Sequence, residues 1–315
     1  MPRRSAVRVD LSTALGPIAL PNPIIAASGT FGHGDEVARI GSAAELGAVT
    51  VKSLHAEPWP GNPAPRLHAT SGGGMLNSVG LQGPGIEHWV EHELPGLVAS
   101  GARVIGSVWG RTVDEFARGA KMLLGASAHL VAIEVNVSCP NLEDGKRMFA
   151  HSAIATREAV EAVLAAGTGL PVFAKLSPNT YELVDIAGAA LDAGATGLTL
   201  VNTVLGFGID AETRRPVLGA GGGGLSGPPV KAVALRAVHD VTGAFPDAPV
   251  IGTGGVMHGV DAIEMMLAGA SAVGVGTATF RDPRAALHIR DEMARWCAEH
   301  GVARVRDLVG ALEER

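Results

Sequence analysis

Aromatic residues are scarce in this chain: one tyrosine, four tryptophans and seven phenylalanines make up 4% of its 315 residues, although 47% are hydrophobic. The core must therefore come from Val, Ile, Leu and Ala, which suit strands buried on both faces, as in parallel sheets. Cysteine is also rare. Cys139 and Cys297 stand far apart, too few for a disulfide framework, and a reducing cytoplasm fits them best. No apolar run is long enough to cross a bilayer and the N-terminus lacks the apolar stretch of a signal peptide, so no membrane association is expected. Positive charge is in deficit, with 25 Lys and Arg against 31 Asp and Glu for a net charge of −6. That balance argues against nucleic acid as a partner, and the Arg3-Arg4 pair reads as a frayed terminus.

What is present is a rhythm. From Pro23 onward an apolar run leads to a polar or glycine-rich loop and then to a helical pattern. The runs predict strands over 24–27, 48–52, 103–108, 130–137, 171–176, 197–201, 249–252 and 272–275. Helical patterns are clearest over 113–124, 153–166, 182–193, 230–241, 260–268 and 285–300. In one of these, Leu183, Ile186, Ala187, Ala190 and Leu191 recur at helical spacing, and Ala193-Gly194-Ala195 closes the element. Strand–helix alternation repeated in this way predicts the α/β class and a (β/α)8 TIM barrel. A doubly wound open sheet is the alternative, though it more often has fewer strands. No linker divides the chain, so residues 1–315 are expected to form one domain, with a hairpin at about 7–20 covering one end of the barrel.

Two connections exceed the rhythm, 53–85 and 203–229, both rich in Gly and Pro and both leaving the C-terminal mouth of the strands. Loops of this length are usually functional or disordered. Polar residues beside the glycines favour function here.

The chemistry gathers at that mouth, where parallel α/β folds bind ligands. An apolar run ending in Asn136 and Val137 stops at Ser138-Cys139-Pro140-Asn141. This turn offers a thiol as acid/base or nucleophile, against the bland reading of a buried structural cysteine. Cys297, beside Trp296 in a terminal helix, is explained by packing. Lys52 and Lys175 stand near the ends of apolar strands, where an ammonium needs a partner or solvent. They counter anionic groups, form a Schiff base with a carbonyl substrate, or snorkel to the rim. Asn77, Asn136, Asn141 and Asn202 offer donors and acceptors to a substrate edged with N–H and C=O groups; singly, each is a turn residue or cap. Gly252-Thr253-Gly254-Gly255 and Gly274-Val275-Gly276-Thr277 end the last two predicted strands, where barrels commonly hold a phosphate on backbone N–H groups. The run 219–224 lacks a Walker lysine and reads as a flexible loop. His88-Trp89-Val90-Glu91-His92 matches an inverted zinc-peptidase pattern. It reads instead as an outer, solvated helix without a third ligand, and no metal is expected.

Taken together these segments resemble dihydroorotate dehydrogenase of class 1, most closely subtype 1B. The resemblance spans nearly the whole chain and rests on Asn22-Pro23-Ile24, Val51-Lys52-Ser53, Gly61-Asn62-Pro63-Ala64-Pro65-Arg66 and the run from Met75 to Gln82. The Asn136–Asn141 turn, Val201-Asn202-Thr203, Leu225-Ser226-Gly227-Pro228 and the two glycine motifs complete it. It implies an FMN-binding barrel, one FMN per chain, that oxidises dihydroorotate to orotate in pyrimidine biosynthesis, with Cys139 as the base at C5. It further implies substrate contacts from Lys52, Asn77, Ser78, Val79, Gly80, Leu81, Asn136, Asn141, Asn202 and Thr203. Flavin contacts would come from Ser28, Lys52, Ser53, Ser107, Asn136, Lys175, Val201, Gly227, Gly254, Gly255, Gly276 and Thr277. Subtype 1B implies a partner subunit carrying FAD and a [2Fe-2S] cluster that passes electrons to NAD, around a homodimer core or as a heterotetramer. One departure stands out. The family usually has asparagine where this chain has Ser107, so a direct flavin contact is expected to be replaced by water, with the bulky Trp109 nearby.

The competing readings are a pyrimidine-reducing enzyme similar to dihydropyrimidine dehydrogenase, a class 1A-type enzyme using fumarate, and a Schiff-base lyase on Lys52 or Lys175. A non-catalytic electron-transfer scaffold would leave the Cys139 turn without a purpose.

Overall fold

A computed structural model describes residues 9–138 and 147–313. Eight parallel strands close on one another: β1 (Ile24–Ala26), β2 (Ala48–Thr50), β3 (Val104–Val108), β4 (Leu130–Asn136), β5 (Val172–Lys175), β6 (Gly197–Leu200), β7 (Val250–Thr253) and β8 (Ala272–Val275). Each pairs with the next in sequence, and β8 returns to β1 through Val273–Ile24 and Val275–Ala26. The long β4 shows why such strands are nearly continuous apolar runs. Its outward residues Ile133 and Val135 pack into the shell of helices, while inward Ala132, Glu134 and Asn136 climb from an apolar base to a polar mouth. The same change occurs on β3 from Ile105 to Ser107 and on β5 from Phe173 to Lys175.

Helices Val113–Met122, Ala153–Leu164, Leu183–Asp192, Lys231–Ala244, Gly259–Leu267 and Ala285–Glu299 wrap the barrel. Thr112 and Ser152 cap the first two, each accepting at 3.2 Å from the backbone N–H three residues on. Their buried faces are largely Ala and Val, small enough to sit close on the strands, with Phe116 edge-on to Phe149 at 5.2 Å. Removing either ring would cost roughly 3–5 kcal/mol. After β2 the helix is irregular: Ile86–His88 opens into a wide π turn at Trp89–Glu93 before Leu94–Ala99. Trp89 is fully buried and its indole donates to His33 O at 2.7 Å. His88 and His92 lie outside with their rings 4.5 Å apart, and both are more than half exposed.

A hairpin, Thr13–Leu15 with Ile18–Leu20, turns at Gly16 and closes the N-terminal end. Its Leu15 and Leu20 join Ile25, Ala48, Ile105, Ala132, Phe173, Ile251 and Ala272 in a separate apolar cluster inside the barrel. The opposite end is built differently from the expectation. Each of the two long connections contributes two short strands to one four-stranded antiparallel sheet, in the order Val204–Gly206, Gly223–Ser226, Met75–Asn77, Leu67–Ala69. The loop expected over 219–224 is corrected at its end, because Gly223 and Gly224 are strand residues while 219–222 stay outside the strands. The physical reason is close approach: a Cβ on Gly224 would lie 2.0 Å from Thr203 Oγ1.

Candidate active site

The sheet and the C-terminal ends of the barrel strands enclose a cavity of about 920 Å³. β2 delivers Lys52 and Ser53, β4 delivers Asn136, β5 Lys175, β6 Val201, Asn202 and Thr203, and the sheet Asn77. Ser28, Ser78, Val79, Gly80, Leu81, Gly227, Gly254, Gly255, Gly276 and Thr277 line it as well. Leu81 holds φ +62°, a left-handed conformation that bulky residues rarely adopt. Cys139 and Asn141 lie outside the described residues.

One expected contact is not in the cavity wall. Ser107 is fully buried and sits behind Ser53, bonded to it at 3.0 Å and donating to Glu134 Oε1 at 3.1 Å. A direct or water-replaced ligand contact from Ser107 is therefore corrected to support from behind the wall. Trp109 is 2% exposed at the edge of the cavity, edge-on to Trp59 at 5.8 Å and beside His55 at 4.7 Å.

The electrostatics are those of an anion site. Lys175 is 6% exposed and does not snorkel to the rim; its Nζ faces Glu134 Oε1 at 3.9 Å. Lys52 has no ion-pair partner among the described residues, and burial, then the charge of Lys175, push its ammonium down to about 8. His33, nearby, is driven down to about 4 by burial and then by Lys52. The amides are oriented by their neighbours. Asn136 Nδ2 donates to Ser53 Oγ at 3.1 Å, Asn202 Nδ2 donates to Asn136 Oδ1 at 3.4 Å, and Asn77 Nδ2 donates to Gly224 O at 3.3 Å.

These positions can be set beside known proteins. A family model described as dihydroorotate dehydrogenase matches residues 10–296. The chain belongs to the dihydroorotate dehydrogenase family. A relative from Geobacter sulfurreducens is 46% identical over 304 residues, covering 96% of this chain and 98% of the relative. One from Alkaliphilus metalliredigens is 41% identical over 305 residues, covering 97% and 99%. Both are named dihydroorotate dehydrogenase B (NAD(+)), catalytic subunit.

Dihydroorotate dehydrogenases are flavin-dependent, and one end of this cavity fits a flavin nucleotide. The N–H groups of Gly254, Gly255, Gly276 and Thr277 have no backbone acceptor among the described residues. Gly276 is informative because the protein alone does not require glycine there. Its φ is not left-handed, and a Cβ would meet nothing closer than 3.7 Å. Glycine keeps that space open, as a phosphate on backbone N–H groups requires.

Several residues of this dehydrogenase site gave no signal of their own in the sequence. Asn179 donates to Ser177 Oγ at 2.8 Å and to Thr203 O at 3.0 Å, and accepts from Leu205 N at 2.9 Å, so it anchors one strand of the sheet. Ser226 accepts from Thr277 Oγ1 at 2.8 Å and donates to Met75 O at 3.3 Å, tying the glycine-rich end to the strand that carries Asn77. Arg111 also lines the cavity, its guanidinium 4.5 Å above the Trp59 ring and held by Glu115 at 2.6 Å. Glu134 is the fourth. It read as one polar letter inside an apolar strand.

Proposed function

We propose that this chain oxidises dihydroorotate to orotate for pyrimidine biosynthesis, with FMN as its cofactor, Cys139 as general base and the chain acting as one barrel domain. The observation that carries the reading is the set of Lys52, Asn77, Asn136 and Asn202 around one cavity. A flat pyrimidine acid has one carboxylate and a rim of alternating N–H and C=O groups, which a cation among carboxamides matches. Lys52 binds the carboxylate. The amides of Asn77, Asn136 and Asn202 orient the ring, with Thr203 and the 78–81 segment completing the enclosure and the Asn141 carboxamide proposed as a further substrate contact on the resemblance alone. Cys139, three residues after Asn136 in the sequence, would take the proton from C5 as a thiolate. Ser28, Ser53, Lys175, Val201 and Gly227 would hold the flavin ring, and Gly254, Gly255, Gly276 and Thr277 its phosphate. When bound, FMN supplies the two-electron acceptor for the hydride that leaves C6.

The relatives' name includes NAD(+) and the words catalytic subunit, which supports a partner subunit that carries electrons onward. An all-cysteine [2Fe-2S] centre needs four thiolate ligands and this chain has two cysteines. The partner would therefore supply the cluster and FAD, joined to a homodimeric core or as a heterotetramer in the cytoplasm. No helix among the described residues is long and apolar enough to cross a membrane.

Anaerobic titration with dihydroorotate is the test. Purified protein should be yellow and bleach stoichiometrically, and NAD⁺ should reoxidise it only when the partner is added. Bleaching by dihydrouracil in preference to dihydroorotate would favour the pyrimidine-reducing reading, since that ligand lacks the carboxylate offered to Lys52. Reoxidation by fumarate would favour the class 1A type. A colourless protein that borohydride traps with a carbonyl substrate would favour a Schiff-base lyase.

A further inference from the structure

Glu134 is the buried charge that the reading above does not use. It lies on β4 two residues before Asn136, is 2% exposed, and does not line the cavity. A carboxylate at that depth is costly unless its oxygens are satisfied. Oε1 accepts from Ser107 Oγ at 3.1 Å and faces Lys175 Nζ at 3.9 Å, and Oε2 accepts from Thr199 Oγ1 at 3.0 Å. Among the described residues it is the carboxylate within ion-pair distance of Lys175.

Counting hydroxyl protons fixes the direction of the neighbouring bonds. Ser107 has one proton and gives it to Glu134, so Ser53 is the donor across the 3.0 Å Ser53–Ser107 bond. Ser53 has then used its own proton. Ser28 must therefore donate to Ser53 across 3.3 Å, and the second lone pair of Ser53 accepts from Asn136 Nδ2 at 3.1 Å. Every hydroxyl in the chain points down toward one carboxylate. The amide of Asn136 is thereby turned so that Oδ1 accepts from Ser138 N at 3.2 Å and Asn202 Nδ2 at 3.4 Å. An ionised carboxylate only accepts, which is what imposes the direction; a carboxamide in its place brings a donor that faces Ser107 or Thr199.

We propose that Glu134 is the positioning residue of this site, holding Lys175 as a charged donor at the cavity wall and setting the direction of the Ser28–Ser53–Ser107 chain and, through it, the Asn136 amide. The proposal rests on the flavin reading of the cavity and deepens it: a group that touches neither ligand decides how the wall presents its protons. It also explains why Ser107 suffices where the family usually has asparagine. A hydroxyl there relays the carboxylate's demand for a proton to Ser53.

The test is a double-mutant cycle on FMN binding, read by quenching of flavin fluorescence and by the visible spectrum of the bound flavin. Four proteins are compared: wild type, Glu134→Gln, Lys175→Met and the double variant. Glu134→Gln should weaken FMN binding roughly 10-fold, within the range of interaction energies between groups sharing one network, and shift the visible band. In the Lys175→Met background the same change should alter affinity less than about two-fold, because much of its effect runs through the lysine. Glu134→Asp should recover part of the spectrum. Equal effects in both backgrounds, or an unchanged spectrum and affinity in Glu134→Gln, would overturn the proposal while leaving the flavin reading intact. Wild-type protein that binds no FMN overturns both. The double variant removes both buried charges together and is expected to fold and to melt above Glu134→Gln without FMN. Should Glu134→Gln not fold, Lys175→Met and the double variant still decide the question: matching affinities support it and a large gap overturns it.

Discussion

Asn77 and Gly224 stand 147 residues apart in the chain, yet their backbones are paired across adjacent strands and Asn77 Nδ2 donates to Gly224 O at 3.3 Å. A proposed substrate amide is thus aimed by a backbone carbonyl from the other long connection. Gly224 also lies against Thr203, which a Cβ would meet at 2.0 Å. Gly224→Ala should therefore displace both Asn77 and Thr203, at a cost of roughly 1–3 kcal/mol. Steady-state kinetics should show KM for dihydroorotate rising about ten-fold, with the flavin content of the purified protein unchanged. Loss of flavin together with substrate affinity would mean that the sheet supports the whole cavity rather than its substrate end.

Lys52 gives a pH dependence whose sign follows from its burial. Its ammonium titrates near 8 instead of 10.5 because it is desolvated and faces the charge of Lys175. Below that value it is a cation ready for a carboxylate. As pH rises through about 8 the charge is lost and orotate affinity should fall. Lys52→Met should weaken orotate roughly 10- to 100-fold at neutral pH, the value of a hydrogen bond to a charged group, and flatten the profile near pH 8. In the ligand-free protein the same group acts in the opposite sense. Between about 8 and 10.5 the unfolded chain holds a proton that the folded chain has released, so its contribution to stability rises with pH.

Glu115 behaves as a depressed acid. Burial alone would raise it, but hydrogen bonds from Arg111, with the His55 ring 3.3 Å away, hold it down to about 2 against an ordinary 4.5. Its stabilisation is fully present above 4.5 and is lost as pH falls through about 2. Glu115→Gln should lower stability by roughly 2 kcal/mol at pH 7. Thermal unfolding should show the gap to wild type closing as the medium is acidified from pH 4.5 toward 2.

The two thiols should separate by reactivity. Cys297 is fully buried in the helix Ala285–Glu299 and burial pushes its thiol up. Alkylation of the native protein should stop at one equivalent, on Cys139, with Cys297 modified only after denaturation. Cys139→Ser should slow flavin reduction at neutral pH about 100-fold or more, the usual share of a positioned base, while leaving FMN bound.

Much of the barrel is legible in the sequence because its strands are local signals. A strand such as 130–136 is a mostly apolar run with Val131, Ile133 and Val135 at alternate positions wherever it packs, and boundaries differ from expectation mainly at the mouth, where Lys52 and Val137 continue past the ladder. The sheet over the cavity was not readable. Its strands are three or four residues long, one opens on two glycines, and its two halves meet only where Met75–Asn77 pairs with Gly223–Ser226, more than a hundred residues away. Site residues that end a strand could be named singly. Ser107 is expected at the ligand on the family resemblance alone; only the depth of the barrel shows that Ser53 stands in front of it. Glu134 was missed for the related reason that a lone acid in an apolar run has no periodicity to betray its partners.

The plug formed by Leu15 and Leu20 turns the barrel into a cup. Traffic through the strand ends at the bottom is stopped by close-packed hydrocarbon, so entry and exit share one lip. A product analogue lodged beneath the sheet then occupies the doorway as well as the seat, and dihydroorotate must wait for it to leave.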